Sequence, residues 1–168
     1  IAKAHNRLGF PYSCVSDHVH TGADGAFVAE HQRVRADLAA GGFGKPVFIG
    51  IEASIADVEG HLALEGVNGR PDYVLCSDHW IGDTGITMSD LQASAKLVRA
   101  MHDGDPQRLK ALYGDVATMY VNAITRNEVD ILAHPFDTFM RVSNFDKGLL
   151  DVFGRVCEAC QAKGVAVE

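Results

Sequence analysis

Nowhere in the 168 residues is there a run approaching the ~18 consecutive apolar residues that a membrane-spanning helix requires. The start also lacks the basic, then apolar, then small-residue order of a secretory signal. Positive charge is scarce: 15 Lys and Arg stand against 22 Asp and Glu, a net charge of −7. A basic stripe following a nucleic-acid backbone is therefore not expected, although a metal site can still hold a phosphate ester locally. Cysteines are few. Cys14, Cys76, Cys157 and Cys160 are too scattered for a disulfide framework. Cys157 and Cys160 form a CxxC, but it lies in the apolar, helix-like run Leu149–Ala162 with no second pair nearby. Two cysteines on one helical face is the better reading, and the expected compartment is the reducing cytoplasm.

What the chain does contain is enough apolar sequence, 47% of its residues, for one core of ordinary size, so residues 1–168 read as one domain. Short apolar runs rich in β-branched or aromatic residues recur at Tyr12–Ser16, Val47–Glu52, Tyr73–Ser77, Glu128–Ala133 and Val165–Glu168. They lack polar–apolar alternation, as strands buried on both faces do. Helical patterns lie between them. Gly25–Ala40 closes on Gly41-Gly42, and Ser89–Met101 opens on a Ser89/Gln92 capping box. Asp105-Pro106 sets an N-cap and N1 proline for a helix to about Arg126, and Asp146–Lys163 ends at Gly164. Ala53–Pro71 is loop-like, with a small hairpin possible around Asp57-Val58-Glu59-Gly60. Strand–helix alternation predicts an α/β fold on a parallel sheet, open or closed into a barrel. The chain opens on Ile1 inside a helix-like stretch and stops on a strand-like one, so it reads as a fragment.

The chemistry is at the strand ends. Tyr12–Ser16 runs into Asp17-His18, Val47–Ile51 into Glu52, Tyr73–Ser77 into Asp78-His79, and Glu128–Ala133 into His134-Pro135; the last strand ends on Glu168. A lone strand-end histidine is as a rule a satisfied structural residue. Five of five strands ending in histidine or carboxylate, the groups that bind divalent metals, point instead to a shared site. In a parallel α/β fold all strand C-termini open on one face, where such sites form. His5, His31 and His102 sit in helix-like, polar surroundings and are expected to face solvent, and His61 to be a surface loop residue. His20, two residues beyond His18, is an accessory or substrate-pocket candidate.

These residues resemble the motifs of the PHP (polymerase and histidinol phosphatase) family. Val15-Ser16-Asp17-His18 looks like its strand–TDH motif and Ile49-Gly50-Ile51-Glu52 like its GxE motif. Val74–His79 is similar to the strand ending in a ligand histidine, and Ala133-His134-Pro135 to the HP motif. Order and rough spacing agree along essentially the whole chain. The family's N-terminal HxH and C-terminal DxH strands have no counterpart in residues 1–168.

The resemblance implies a distorted (β/α)7 TIM-like barrel, of which only the middle strands are present here. It implies a metal-dependent phosphoesterase acting on a small phosphomonoester, with two or three Zn²⁺, Mn²⁺ or Fe²⁺ ions in the complete domain. His18, Glu52, His79 and His134 would be ligands. Glu52 would bridge two ions, His79 and His134 would complete one, and His18 would serve another. Glu52, His18 and Asp17 are the residues expected at the chemical step, and Asp17 and Asp78 also stand where they can orient adjacent imidazoles. Surface aspartates are the plain alternative for both. An exonuclease-like PHP module of a DNA polymerase fits the acidic balance less well. A degenerate, non-catalytic PHP domain fits the joint presence of Glu52, His79 and His134 less well. An amidohydrolase-type enzyme would be expected to carry a strand-end lysine, and none is apparent.

Overall fold

A computed structural model describes residues 4, 7–19, 27–81, 86–87, 90–137, 139–140 and 146–168. In chain order its elements are β1 (Ser13–Val19), α1 (Phe27–Ala40), β2 (Val47–Ser54), β3 (Tyr73–Ser77), β4 (Trp80–Ile81), β5 (Ile86–Thr87), α2 (Leu91–Gly104), α3 (Pro106–Arg126), β6 (Ile131–Leu132), α4 (Lys147–Lys163) and β7 (Ala166–Val167). Five strands form one sheet in the order β1-β2-β3-β6-β7, and all four pairings are parallel. The α/β class and the parallel sheet expected from strand–helix alternation are both present. The short antiparallel pair β4–β5 has no counterpart in the sequence reading.

Side-chain alternation divides the sheet into two unlike faces. Ile51, Val19 and Val74 pack with Val28 of α1. Cys76 and Leu132, on the same face by register, join the core built from α3 and α4. α1, α3 and α4 therefore cover one face. The other carries His18, Gly50, Glu52, Ser54, Leu75 and Ser77. α3 anchors the core because its apolar residues recur at helical spacing: Leu109, Leu112, Tyr113, Val116, Ala117, Tyr120, Ala123 and Ile124 are all buried.

Local signals set the helix ends. Asp105 accepts from Arg108 N at 3.0 Å ahead of Pro106, and Asp146 accepts from Leu149 N at 2.9 Å. Gly164 closes α4 in the left-handed conformation, with φ +71°. The cap of α2 differs from the expected one: Asp90 is the N-cap, its carboxylate accepting from Ala93 N at 2.9 Å, and Ser89 lies outside the described residues. The hairpin expected around Asp57 is present as a single antiparallel bridge, Ile55 to Leu62, with Gly60 at φ +83°.

Strand lengths depart from expectation in both directions. β1 does not stop before Asp17 but continues through His18 to Val19, because β2 runs on to Ser54 and keeps pairing with it. β6 is reduced to Ile131–Leu132. Asp130 N still donates to Val74 O and Ala133 N to Cys76 O, but His134 then leaves the extended conformation. Burial on both faces holds for most of β2 and β3. It fails for β1 and β7, the outermost strands among the described residues, where most residues are exposed.

Candidate metal centre

Register alone brings the first residues together. His18 is paired laterally with Glu52, and Ser54 with Ser77. Alternation places Glu52, Ser54 and Ser77 on the face away from the helices, and His79, two residues beyond Ser77, follows the same parity. His134 does not. It lies two residues after Leu132, whose side chain is in the helix-side core, so regular extension would turn His134 toward the helices. Its φ of +33° reverses it. A non-glycine residue there costs on the order of 1–3 kcal/mol, and such strain persists where surrounding structure dictates it.

The result is one carboxylate ringed by three imidazoles. Glu52 Oε1 lies 3.0 Å from His134 Nε2 and 3.2 Å from His79 Nε2, and Oε2 lies 3.4 Å from His18 Nε2. Ser77 Oγ donates to the same Oε1 at 3.1 Å. Ligand atoms of His18, Glu52 and His79 all lie within 4.8 Å of one another, the single such group among the described residues. Exposure is graded across it, from 9% for the His79 side chain and 13% for Glu52 to 55% for His18. The cluster is rooted in the sheet and open to solvent at His18.

Two serines finish the arrangement, and the sequence reading missed both. Ser54 Oγ holds His79 Nδ1 at 2.7 Å, which leaves Nε2 directed at Glu52. The spacings Glu52-x-Ser54 and Ser77-x-His79 were the available signal, since period two puts each pair on one face.

Charge follows from this geometry. Burial alone would raise the Glu52 carboxyl, but hydrogen bonds with His134 and His79, the charge of His18 and the Ser77 hydroxyl hold it well below the usual carboxylate range. The hydrogen bond to Glu52 raises His134 against the opposing effect of its own burial. Three donors converge on Oε1, more than its two lone pairs accommodate in ordinary hydrogen bonding. Three imidazole nitrogens and a carboxylate facing one point are, by contrast, a donor set suited to Zn²⁺, Mn²⁺ or Fe²⁺. The residues fit a divalent metal.

Alternation also disposes of two neighbours. Asp17 shares a strand with His18 but points to the opposite face, where its carboxylate lies 3.6 Å from His31 Nε2 of α1. It is not brought to the cluster, and His31 is partly buried rather than solvent-facing as expected. Asp78, between Ser77 and His79, likewise points away from the cluster and is buried near Tyr120 of α3. It is no surface aspartate. His61 and His102 are exposed and pair with Asp57 and Asp103, at 2.7 and 3.0 Å. Glu168 is exposed, and His5 and His20 lie outside the described residues. Cys157 and Cys160 are both free thiols on α4.

Burial pushes the Asp78 carboxyl up to about 6, against the lowering effect of its hydrogen bond with Tyr120. An unfolded aspartate titrates near ~3.9, so between those values only the folded state keeps the proton. Stability of the metal-free protein should therefore fall by about 2–3 kcal/mol as pH rises from roughly 4 to 6. His134, raised when folded, adds a further loss as pH climbs past ~6.5, whereas Glu52, depressed when folded, destabilises below ~4.3. Urea unfolding across this range checks it. Asp78→Asn should flatten the pH 4–6 segment and be the more stable protein at pH 7; an unchanged slope would assign the titration elsewhere.

Among the described residues no helix is long and apolar enough to cross a membrane. In comparisons with known proteins, no family model matches the chain and no curated protein matches it.

Proposed function

We propose that this protein is a metal-dependent hydrolase of phosphoric esters, of PHP type, acting on a small phosphomonoester in the cytoplasm. One observation carries the reading: Glu52 stands at the centre of three histidine Nε2 atoms supplied by or just beyond three other strands of a parallel sheet. The site opens beyond the C-terminal ends of those strands, where parallel α/β folds build their active sites. The barrel is part of the proposal. Strands running in chain order with α1, α3 and α4 on one face are what a barrel wall requires. Phe48, exposed on the face that carries Glu52 and in ring contact with Tyr12, is placed as an interior residue would be.

In this reading His18, Glu52, His79 and His134 hold two or three divalent cations together with the rest of the complete domain. Such cations, when bound, supply a water acidified toward pKa ~7 and positive charge for the phosphoryl oxygens. The protein's own groups position them. Among the described residues Glu52 brings the one negative charge to the cluster, and it ties the three histidines to one point. Ser54 fixes the His79 ring so that Nε2 is the coordinating atom, and exposed His18 marks the side from which substrate approaches. No part in the chemical step is assigned to Asp17, which faces α1.

The test is metal analysis of the full chain combined with a panel of phosphomonoesters and phosphodiesters under added Zn²⁺, Mn²⁺ or Fe²⁺. Bound metal and monoester hydrolysis that chelation abolishes and metal restores are expected. Turnover confined to phosphodiesters would favour the exonuclease-like alternative. Turnover that survives chelation would defeat the metal mechanism altogether.

A further inference from the structure

Gly50 lies on the face that carries Glu52, and a side chain there would find its space taken. A Cβ on Gly50 would stand 2.3 Å from Cε2 and Cζ of Tyr73 and 2.7 Å from its Cδ2. The Tyr73 ring therefore lies across β2 instead of standing up from β3. Register explains the reach: Tyr73 is paired with Gly50, and Gly50 on its other side with Ser16 of β1. The Tyr73 hydroxyl is hydrogen-bonded to Ser16. One side chain thus spans three strands, a width of about 9–10 Å at the ~4.8 Å spacing of neighbours in a sheet. Glycine inside a strand commonly marks such a close approach.

The row Ser16–Gly50–Tyr73 lies directly beneath the row His18–Glu52–Leu75, two residues or about 6.6 Å back along the strands. Of the three histidines at Glu52, His18 has the least support around it. Its side chain is 55% exposed, against 33% for His134 and 9% for His79. It stands on β1, which among the described residues has β2 as its one strand neighbour. Elements with few buried contacts are the first to open locally. A tie from β3 to Ser16, on the same face as His18 and two residues before it, opposes that opening.

We infer that Tyr73 is a positioning residue for His18: lying across Gly50 and bonded to Ser16, it straps β1 to β3 and holds the His18 imidazole against Glu52. The inference rests on the metal-centre reading for its purpose, and on the register of three strands for its geometry. It gives glycine at position 50 a reason, as the gap through which the strap passes.

Two measurements on ¹⁵N-histidine-labelled protein decide it, using Tyr73→Phe, Ser16→Ala, the double variant and Gly50→Ala, with far-UV circular dichroism as the check on folding. The first is the set of histidine ring nitrogen resonances in the metal-free protein. Tyr73→Phe keeps the ring and loses the hydroxyl, so the His18 signals should move while those of His79 and His134 stay in place. Ser16→Ala should move them in the same way, and the double variant no further, because both changes remove one bond. Gly50→Ala, which drives the ring aside, should reproduce the effect. The second measurement is the Zn²⁺ dissociation constant by chelator competition. It should rise roughly 10-fold, the lower end for groups outside the ligand set, and equally in the single and double variants. Unmoved His18 signals overturn the inference, as do single effects that add in the double variant. All three histidines moving together would make Tyr73 a general support of the fold and overturn its assignment to His18. Were the wild-type chain to bind no zinc, the metal reading would fail while the metal-free His18 signals still decided the strap. Should Gly50→Ala fail to fold, the Tyr73→Phe and Ser16→Ala cycle decides without it.

Discussion

Glu52→Gln is expected to abolish metal binding and turnover together while leaving a folded protein. The substitution keeps the shape of the side chain and removes its charge. In the wild type that charge faces three imidazole nitrogens at 3.0 to 3.4 Å. The amide also replaces one acceptor oxygen with a donor NH₂, which cannot coordinate a cation. Loss of a central anionic ligand exceeds the ~10–100-fold penalty typical of an outer-shell change, so the variant should retain no stoichiometric metal. Without metal the effect is on stability. Because the Glu52 carboxyl is held below the usual range, its charge stabilises the folded state above pH ~4.3, and the variant should lose that increment at neutral pH but not in acid. Metal content by elemental analysis and a pH series of thermal melts read the two effects separately. A variant with its full metal complement would remove Glu52 from the site.

Gly60→Ala is expected to be among the most damaging single substitutions away from the cluster, costing about 3–5 kcal/mol. Gly60 sits at φ +83°, and a Cβ there would lie 2.3 Å from Ala123 N and 2.5 Å from Asn122 C, both backbone atoms of α3. A helix backbone cannot shift to make room. The loop would have to lift away from α3, which threatens the bonds from Asn122 Nδ2 to Val58 O and from Asn127 Nδ2 to Gly60 O, each 2.9 Å. The same loop returns to the site, since Ala63 N donates to Ser54 O at 2.9 Å and Ser54 holds His79. Weaker zinc binding should therefore accompany the loss of stability. Chemical denaturation gives the first quantity; a cost below about 1 kcal/mol would mean that the loop yields without strain.

These expectations share a feature of the architecture. The groups proposed to hold metal sit on the face of the sheet that the helices leave open. Ser54 and Ser77 act from the sheet itself. Asp78 lies behind them in the core, where the burial of its carboxylate lowers stability at neutral pH.

The sequence by itself was sufficient wherever the determining interaction is local. Asp105 and Asp146 cap helices by reaching backbone N–H groups three residues on, and Gly164 supplies a left-handed C-cap; all three are legible because cause and effect lie within one turn. That His18, Glu52, His79 and His134 gather toward one end of the sheet was legible for a related reason. Parallel topology sends every strand's C-terminus to the same side, so residue type and position were enough to bring the four together. The direction of individual side chains was not legible, because alternation can be counted only from a known strand end. That end is set by the partner strand: β2 continues to Ser54, holds β1 in register through Val19, and thereby turns His18 to the cluster and Asp17 to His31. Nor does any local preference turn a histidine after Leu132 to φ +33°. That conformation belongs to the packing of Phe136 and Tyr120, residues separated by 16 positions in the chain and joined by one hydrogen bond in the core.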